Sequence, residues 1–432
     1  MGDSKSGFGK YLGLTFLIGF GFFTMGLMDP LYDTYVPVFL GKYVSSNALI
    51  GFIMTIDNIF AIFLIPLVAV WSDNTRTRIG RRMPFIIVTL PLTALAFSSL
   101  PYAAFASLGG LIAVIFALNV FKQSARGPVV ALMPDTIPGE FRSEANGVIN
   151  TMGGIGTILG TIALARLMNV KLDLPLLGAT EDRLPFPVAG LFVILATILV
   201  FSFVREKDST ENSREEKVPI LKSLRGIAGA TDKSALWILL SLFFWFLGYQ
   251  GVLPFIGKYC IEILHTTKGS AALPAGMVGI AYAIFAIPSG YVAHRIGRRR
   301  AIRGALVALG LITLFLFAFG PITASLGASP RFFVFLGVIF LFGIFWVTVI
   351  TNSFPMLWQM ASFGTMGIYT GLYYTFSQVA AITAPPLTGG LIDLVGYPGI
   401  FAFAALCMAV AFFLMGKVTK GEPGEKAAAQ AG

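Results

Sequence analysis

Histidine and cysteine are almost missing from this chain. Its 432 residues hold two of each, His265, His294, Cys260 and Cys407. That supply leaves no basis for a metal centre or a histidine-based catalytic triad. Cys260 is expected at a helix end and Cys407 inside the final apolar run, so no disulfide joins them. Charge is also scarce, at 12% of residues against about 25% in ordinary soluble domains. No G-x-x-x-x-G-K-[ST] loop occurs. The nearest string, "GVLPFIGKY" at 251–259, has the wrong spacing and no hydroxyl after its lysine. ATP-driven work and most enzymatic chemistry are thereby excluded, and no cofactor is expected. A cleavable leader is not expected either. The first apolar run is too long for one and passes into "MDPLYDTYVP" without a small-residue cleavage site.

What is present is apolar length. Hydrophobic residues make up 56% of the chain, in runs of about 20 residues that suffice to cross a hydrocarbon core about 30 Å thick. Backbone polar groups inside lipid must bond within their own segment, which makes these runs helices. They lack the alternation of an outer-membrane barrel. The pattern predicts an all-α polytopic membrane protein. Twelve spans are expected near 11–40, 48–71, 84–105, 108–132, 144–166, 185–204, 234–263, 271–293, 302–325, 331–358, 366–392 and 397–416. The predicted organisation is a six-helix bundle over 1–204, a cytoplasmic linker over 205–233, a second six-helix bundle over 234–416 and a disordered tail over 417–432. A short surface helix is expected in the linker around Ile220–Ile227.

Lysine and arginine set the orientation. With the N-terminus inside, inner loops and tails hold about 22 of them and outer loops about 7. Both termini are expected in the cytoplasm, most naturally at a cell membrane. The net charge of +10 then reports topology and contact of the cytoplasmic loops with anionic lipid, not nucleic acid.

One short string occurs twice. "RIGRR" at 78–82 returns at 295–299, each copy between the second and third spans of its half. Parallel six-span repeats joined by a cytoplasmic linker are a transporter architecture. At these residues the chain resembles the major facilitator superfamily, which carries G-x-x-x-D-[RK]-x-G-[RK]-[RK] in that loop. "GYVAHRIGRRR" from Gly290 keeps the spacing with His294 in place of the aspartate. The first copy, "SDNTRTRIGRRMPF", keeps Asp73 and adds residues. That longer form, with "ALMPDTIPGEFRSEANG" (131–147) and "GIYTGLYYTFSQVAAITAPPLTGGLID" (367–393), resembles the sucrose transporters and the glycoside–pentoside–hexuronide:cation symporters. Sodium-coupled members of the latter group carry D-x-x-x-D-P in the second span. Here Ala61 and Ile65 stand at those positions before Pro66, and the acid is Asp57, one turn away. A proton is therefore the expected coupling cation.

Ionisable residues inside spans are expensive, so each needs a partner or a wet cavity. Asp57 falls near the midplane of the second span and Asp29 outward of centre in the first, with Asp33 one turn beyond. Lys122 and Arg126 share one face of the fourth. The resemblance brings the first, second and fourth spans together, so Asp57, Asp29, Lys122 and Arg126 are the expected coupling-ion residues; for Arg126 the alternative is a structural pair with Glu144. A sugar offers an apolar face and a ring of hydroxyls, which aromatic rings and side-chain amides match. Candidate solute-binding residues are Tyr249, Gln250, Trp346, Asn352, Tyr373 and Gln378, with Asn119 and Asn150 from the first half. Gating is expected at the repeated loop and its surroundings: Asp73, Arg81, Arg82, Arg142, His294 and Arg298. By the resemblance, Asp73 would rest against the start of span eleven near Gly364–Gly367, where a helix end favours an anion. "GGIGTILG" (153–160) is read as helix packing, and Pro30, Pro37, Pro385 and Pro386 as kinks or unwound points.

The function expected is secondary active transport of a sugar or glycoside by alternating access with proton symport, carried out by a monomer. Two alternatives stand beside it. One is an exporter of drugs or other amphipathic solutes, given 40 Phe and 14 Met. The other is a non-transporting sensor or receptor.

Overall fold

A computed structural model describes residues 4–138, 141–175, 178–206, 232–360 and 366–422. They are almost wholly helical. Eleven helices are long and apolar enough to span a membrane, and Gly399–Met415 adds a shorter apolar one. The expected spans coincide with these helices apart from their ends. The expected linker helix around 220–227 and the start of span eleven near 364 lie outside the described residues.

Cα packing divides the chain into two compact units. The first comprises Met1–Ser45, Ile56–Asn212 and Cys260–Gly276. Its helices are α1 (Ser4–Leu40), α3 (Ile56–Asn74), α4 (Met83–Ala106), α5 (Leu108–Thr136), α6 (Arg142–Ile158) and α7 (Pro185–Phe203). α6 runs on through a π turn, Leu159–Ala163, into a 3-10 turn, Leu164–Asn169. A two-residue hairpin, Asp173–Leu174 with Gly178–Ala179, follows it. α1 and α6 approach so closely that a Cβ on Gly26 would collide with the Gly153 carbonyl, and one on Gly156 with the Phe23 carbonyl. The glycine string at 153–160 thus serves close helix contact.

The second unit comprises Ser46–Thr55, Ser213–Tyr259 and Met277–Gly432. Its helices are α2 (Asn47–Met54), α8 (Ser234–Glu262, up to Tyr259), α9 (Leu273–Ile296, from Met277), α10 (Arg298–Phe317), α11 (Ala328–Met360), α12 (Met366–Val395) and α13 (Gly399–Met415). The units differ from the expected division at two places. α2, the first part of the second span, packs with the second unit, and Cys260–Gly276 packs with the first. The reason for α2 is chemical. The Asp393 carboxylate near the end of α12 accepts from the backbone N–H groups of Asn47 (2.9 Å) and Ala48 (3.1 Å), from the Asn47 amide (2.9 Å) and from the Ser46 hydroxyl (3.0 Å). Those N–H groups have no partner within α2, and an anion there meets the positive end of the helix.

Pro30, Pro37, Pro385 and Pro386 lie inside helices that continue through them, which removes the unwound points and leaves kinks as their reading. The interrupted span is instead the second, at Thr55, where no proline stands: the Thr55 N–H turns back to Phe52 and α3 restarts at Ile56. The tail is also ordered at its start. Val418 is fully buried, and Glu422 receives two backbone N–H groups.

Candidate functional site

Within the first unit, α1, α3 and α5 bring four charged side chains into one neighbourhood. The Lys122 ammonium is buried and donates to Asp29 Oδ1 at 3.1 Å. It stands 3.9 Å from Asp57 Oδ2 and 4.9 Å from the centroid of the Tyr32 ring. Asp33 lies within electrostatic range of all three. Asp57 occupies the first turn of α3, directly after the break at Thr55, and its Oδ1 accepts the Asn58 N–H at 2.6 Å. The break thus places a carboxylate in the first turn of a new helix within the span. The sequence places Asp57 near mid-span without disclosing this break.

α5 supplies the polar face beside them. Asn119, Lys122, Gln123 and Arg126 follow the helical spacing of three and four residues. Asn119 is buried and donates to the Tyr32 hydroxyl at 3.1 Å and to the Ile115 carbonyl at 3.0 Å. Gln123 is buried too, and neither its Oε1 nor the Asn119 Oδ1 meets a donor among the described residues. Gln123 was missed from sequence, although an amide one turn past Asn119 in an apolar span was a usable signal. Arg126 is exposed and pairs with no carboxylate within 4 Å among the described residues, neither Asp57 nor Glu144. Asn150 is exposed, and its amide turns back to the Asn146 carbonyl of its own helix.

The second unit holds a tier of aromatic rings. Tyr249 of α8 stacks on Trp346 of α11 with centroids 4.1 Å apart and planes 12° from parallel. Phe342 extends the stack, 6.2 Å from Trp346. Phe246 meets Trp346 edge-on at 5.7 Å, and Tyr373 of α12 meets Phe354 edge-on at 4.4 Å. The Tyr373 hydroxyl reaches Ser353 at 3.3 Å. Asn352 is buried, one residue away, with its amide on the Thr348 carbonyl. Gln250 and Gln378 are partly exposed. Of the aromatic candidates, Tyr249, Trp346 and Tyr373 therefore share one connected cluster.

A model of the Major Facilitator Superfamily matches residues 14–362 and 259–431. The chain belongs to the Major Facilitator Superfamily. Among curated relatives, the MFS-type transporter ppzB of Metarhizium majus is 29% identical over 36% of this chain and 31% of its own length. The sucrose transport protein SUC3 of Arabidopsis thaliana is 25% identical over 42% of this chain and 35% of its own. The alignments thus span about a third of those relatives. Among solved structures, the nucleoside transporter NupG superposes with a TM-score of 0.69 at 12% identity, covering 94% of this chain and 98% of that one. The D-xylose-proton symporter gives 0.67 at 13% identity, covering 94% and 98%. Identities this low show the fold. The protein is a multi-pass membrane protein of this superfamily.

The superfamily loop occurs here twice with one construction. Gly80 and Gly297 hold φ of 108° and 95°, which only glycine adopts freely. The backbone N–H groups that follow converge on a carboxylate beyond the last span of each half. Glu206 accepts from Arg81 (2.7 Å), Arg82 (2.8 Å) and Met83 (2.7 Å). Glu422 accepts from Arg298 (2.7 Å) and Arg299 (3.0 Å). In the first copy Asp135, at the end of α5, also binds both guanidiniums, Arg81 at 2.6 Å and Arg82 at 2.8 Å, and Arg82 pairs with Asp73. Arg142 donates to the Pro134 carbonyl at the C-terminal end of α5, where a cation suits the helix dipole. His294 is exposed, and the Arg298 guanidinium reaches the Pro355 carbonyl at 3.4 Å. Asp135, Glu206 and Glu422 escaped sequence reasoning.

Proposed function

We propose that this protein carries a sugar or glycoside across the membrane by proton symport. The observation that carries the reading is the sharing of one ammonium, Lys122, by two spanning-helix carboxylates, Asp29 and Asp57. When both acids are ionised, one negative charge is left over. An unmatched charge inside a membrane domain is expensive, and a proton removes it. Movement of Lys122 from one carboxylate to the other would then alternate which acid holds the proton. Such a set couples protonation to conformation without a metal. Ala61 and Ile65, which replace the acid pair of the sodium-coupled glycoside symporters, support a proton over sodium.

The solute class rests on the stacked rings Tyr249 and Trp346. An aromatic face takes the C–H face of a sugar, and amides and hydroxyls take its rim. The sucrose transport protein among its relatives fits this chemistry. The test is a thermal-stability screen of the purified protein against mono- and disaccharides and glycosides, followed by uptake of the best ligand into proteoliposomes. A binding sugar should raise the apparent melting temperature. An imposed pH gradient, acid outside the vesicle, should then drive accumulation. Accumulation driven by sodium at uniform pH would refute the proton assignment, and a screen in which no sugar stabilises the protein would refute the solute class.

A further inference from the structure

At the end of the first unit away from the repeated arginine loop, two cations share one aromatic ring. The Lys42 ammonium, just past α1, lies 3.4 Å from the centroid of Phe105 at the end of α4. The Arg183 guanidinium, just before α7, lies 4.4 Å from the same centroid and 5.5 Å from that of Tyr102. Cation–ring attraction accounts for the location of each side chain. It does not account for two positive charges together.

The neighbouring carboxylates are already engaged. Asp182 is paired with Lys268, and Glu181 with Lys171 at 2.8 Å. Among the described residues neither Lys42 nor Arg183 meets a carboxylate within 4 Å, and the buried Arg183 Nε meets no acceptor. Asp182 is buried and held at a φ of 65°, with its N–H on the Met168 carbonyl. That turn fixes where the adjacent Arg183 emerges. Burial, and then the charges of Lys268 and Arg183, push the Lys42 ammonium below the usual lysine range, against the opposing pull of Asp182. Asp182 thus offsets part of this positive charge through space, but among the described residues no carboxylate lies within 4 Å of Lys42 or Arg183. Phe105 remains substantially exposed between them, as does Tyr43 beside Lys42.

We propose that Lys42 and Arg183 form a clamp for a phosphate oxyanion, one cation to each of two oxygens across the edge of Phe105. The two charges stand no farther apart than their combined distances to the ring centre, a span that one phosphate bridges through charge-assisted hydrogen bonds. The exposed rings beside the clamp suit the glycerol and upper acyl carbons of a phospholipid; free phosphate offers the same oxyanion. This site is separate from the Lys122 cluster and stands whether or not the transported solute is a sugar.

The experiment is a titration of the full-length purified protein in neutral detergent, with apparent melting temperature as the readout. One arm uses dihexanoyl phosphatidylglycerol, a second inorganic phosphate, and a third dihexanoylglycerol as the uncharged control. Saturable stabilisation by the phospholipid but not the control is expected. Lys42→Gln and Arg183→Gln should each raise the half-saturating concentration at least roughly tenfold, the loss of one charge-assisted bond. Lys42→Arg should keep the wild-type response, which guards against a Gln variant that folds poorly. Equal stabilisation by inorganic phosphate, lost in the same variants, would assign the clamp to a free anion. Wild-type protein indifferent to both phosphate forms would overturn the proposal, as would Gln variants that respond as wild type does.

Discussion

The Lys122 ammonium donates to Asp29 at 3.1 Å while standing 3.9 Å from Asp57, so a single cation is divided unequally between two acids on different helices. Asp57→Asn should abolish accumulation of solute against a gradient and leave downhill exchange. Uptake into proteoliposomes with and without a pH gradient separates the two. Full proton-driven accumulation by both Asp57→Asn and Asp29→Asn proteins would end the proposed coupling. Lys122→Ala should also destabilise the fold by up to about 3 kcal/mol, because it strands carboxylates in the bundle; the partial exposure of Asp29 keeps the figure below that of a fully buried pair.

The two loop anchors should be separable by their number of bonds. Glu206→Ala strips acceptors from three backbone N–H groups and Glu422→Ala from two. Each unsatisfied group costs about 1–3 kcal/mol when buried and less where water reaches it. Thermal unfolding in detergent should show Glu206→Ala as the more damaging change. Gln at either position should be milder, since an amide oxygen still accepts. Equal, negligible shifts for both alanine variants would show that the loops hold without their anions.

The cap at the start of α2 gives a third outcome. Asp393→Ala removes four hydrogen bonds from Ser46, Asn47 and Ala48. Loss of a cap costs about 0.5–2 kcal/mol. A thiol placed at Ser46 should become faster to alkylate in the Asp393→Ala background than in its absence. An unchanged labelling rate would mean that α2 is held by packing alone.

Solute affinity should depend on the stacked pair. Trp346→Ala should weaken binding roughly two- to tenfold beyond the loss of area, on the scale of about 0.5–1.5 kcal/mol for an aromatic contact. Trp346→Phe should keep most of it. The measurement is the half-saturating sugar concentration in the thermal-shift titration. A Trp346→Ala protein with wild-type affinity would remove the tier from the solute site.

Spans were legible because lipid imposes one rule along the whole chain: helices about 20 residues long and apolar throughout. The duplicated loop was legible because its glycine must hold a positive φ and its basic residues recur beside it, so the letters themselves repeat. Asp29, Asp57 and Lys122 were legible as charges out of place. Their unequal sharing was not, since distances of 3.1 and 3.9 Å depend on helix rotation that no periodicity specifies. Glu206 and Glu422 were illegible for another reason. Each is one acid among others in a polar segment, with nothing to single it out until folding brings it under the turn 124 residues away in sequence from Arg82 or Arg298. The break at Thr55 carried no proline or glycine to announce it.

The two thiols have a use that their burial creates. Cys260 and Cys407 are 0% and 3% exposed and unpaired. A maleimide probe should therefore find almost nothing to react with in the native folded chain. Single cysteines can be introduced at Ser46, beside Asp57 or on the loops and read by fluorescence or spin label against a silent background, without first stripping the protein of its own sulfur and disturbing the packing that those two side chains complete.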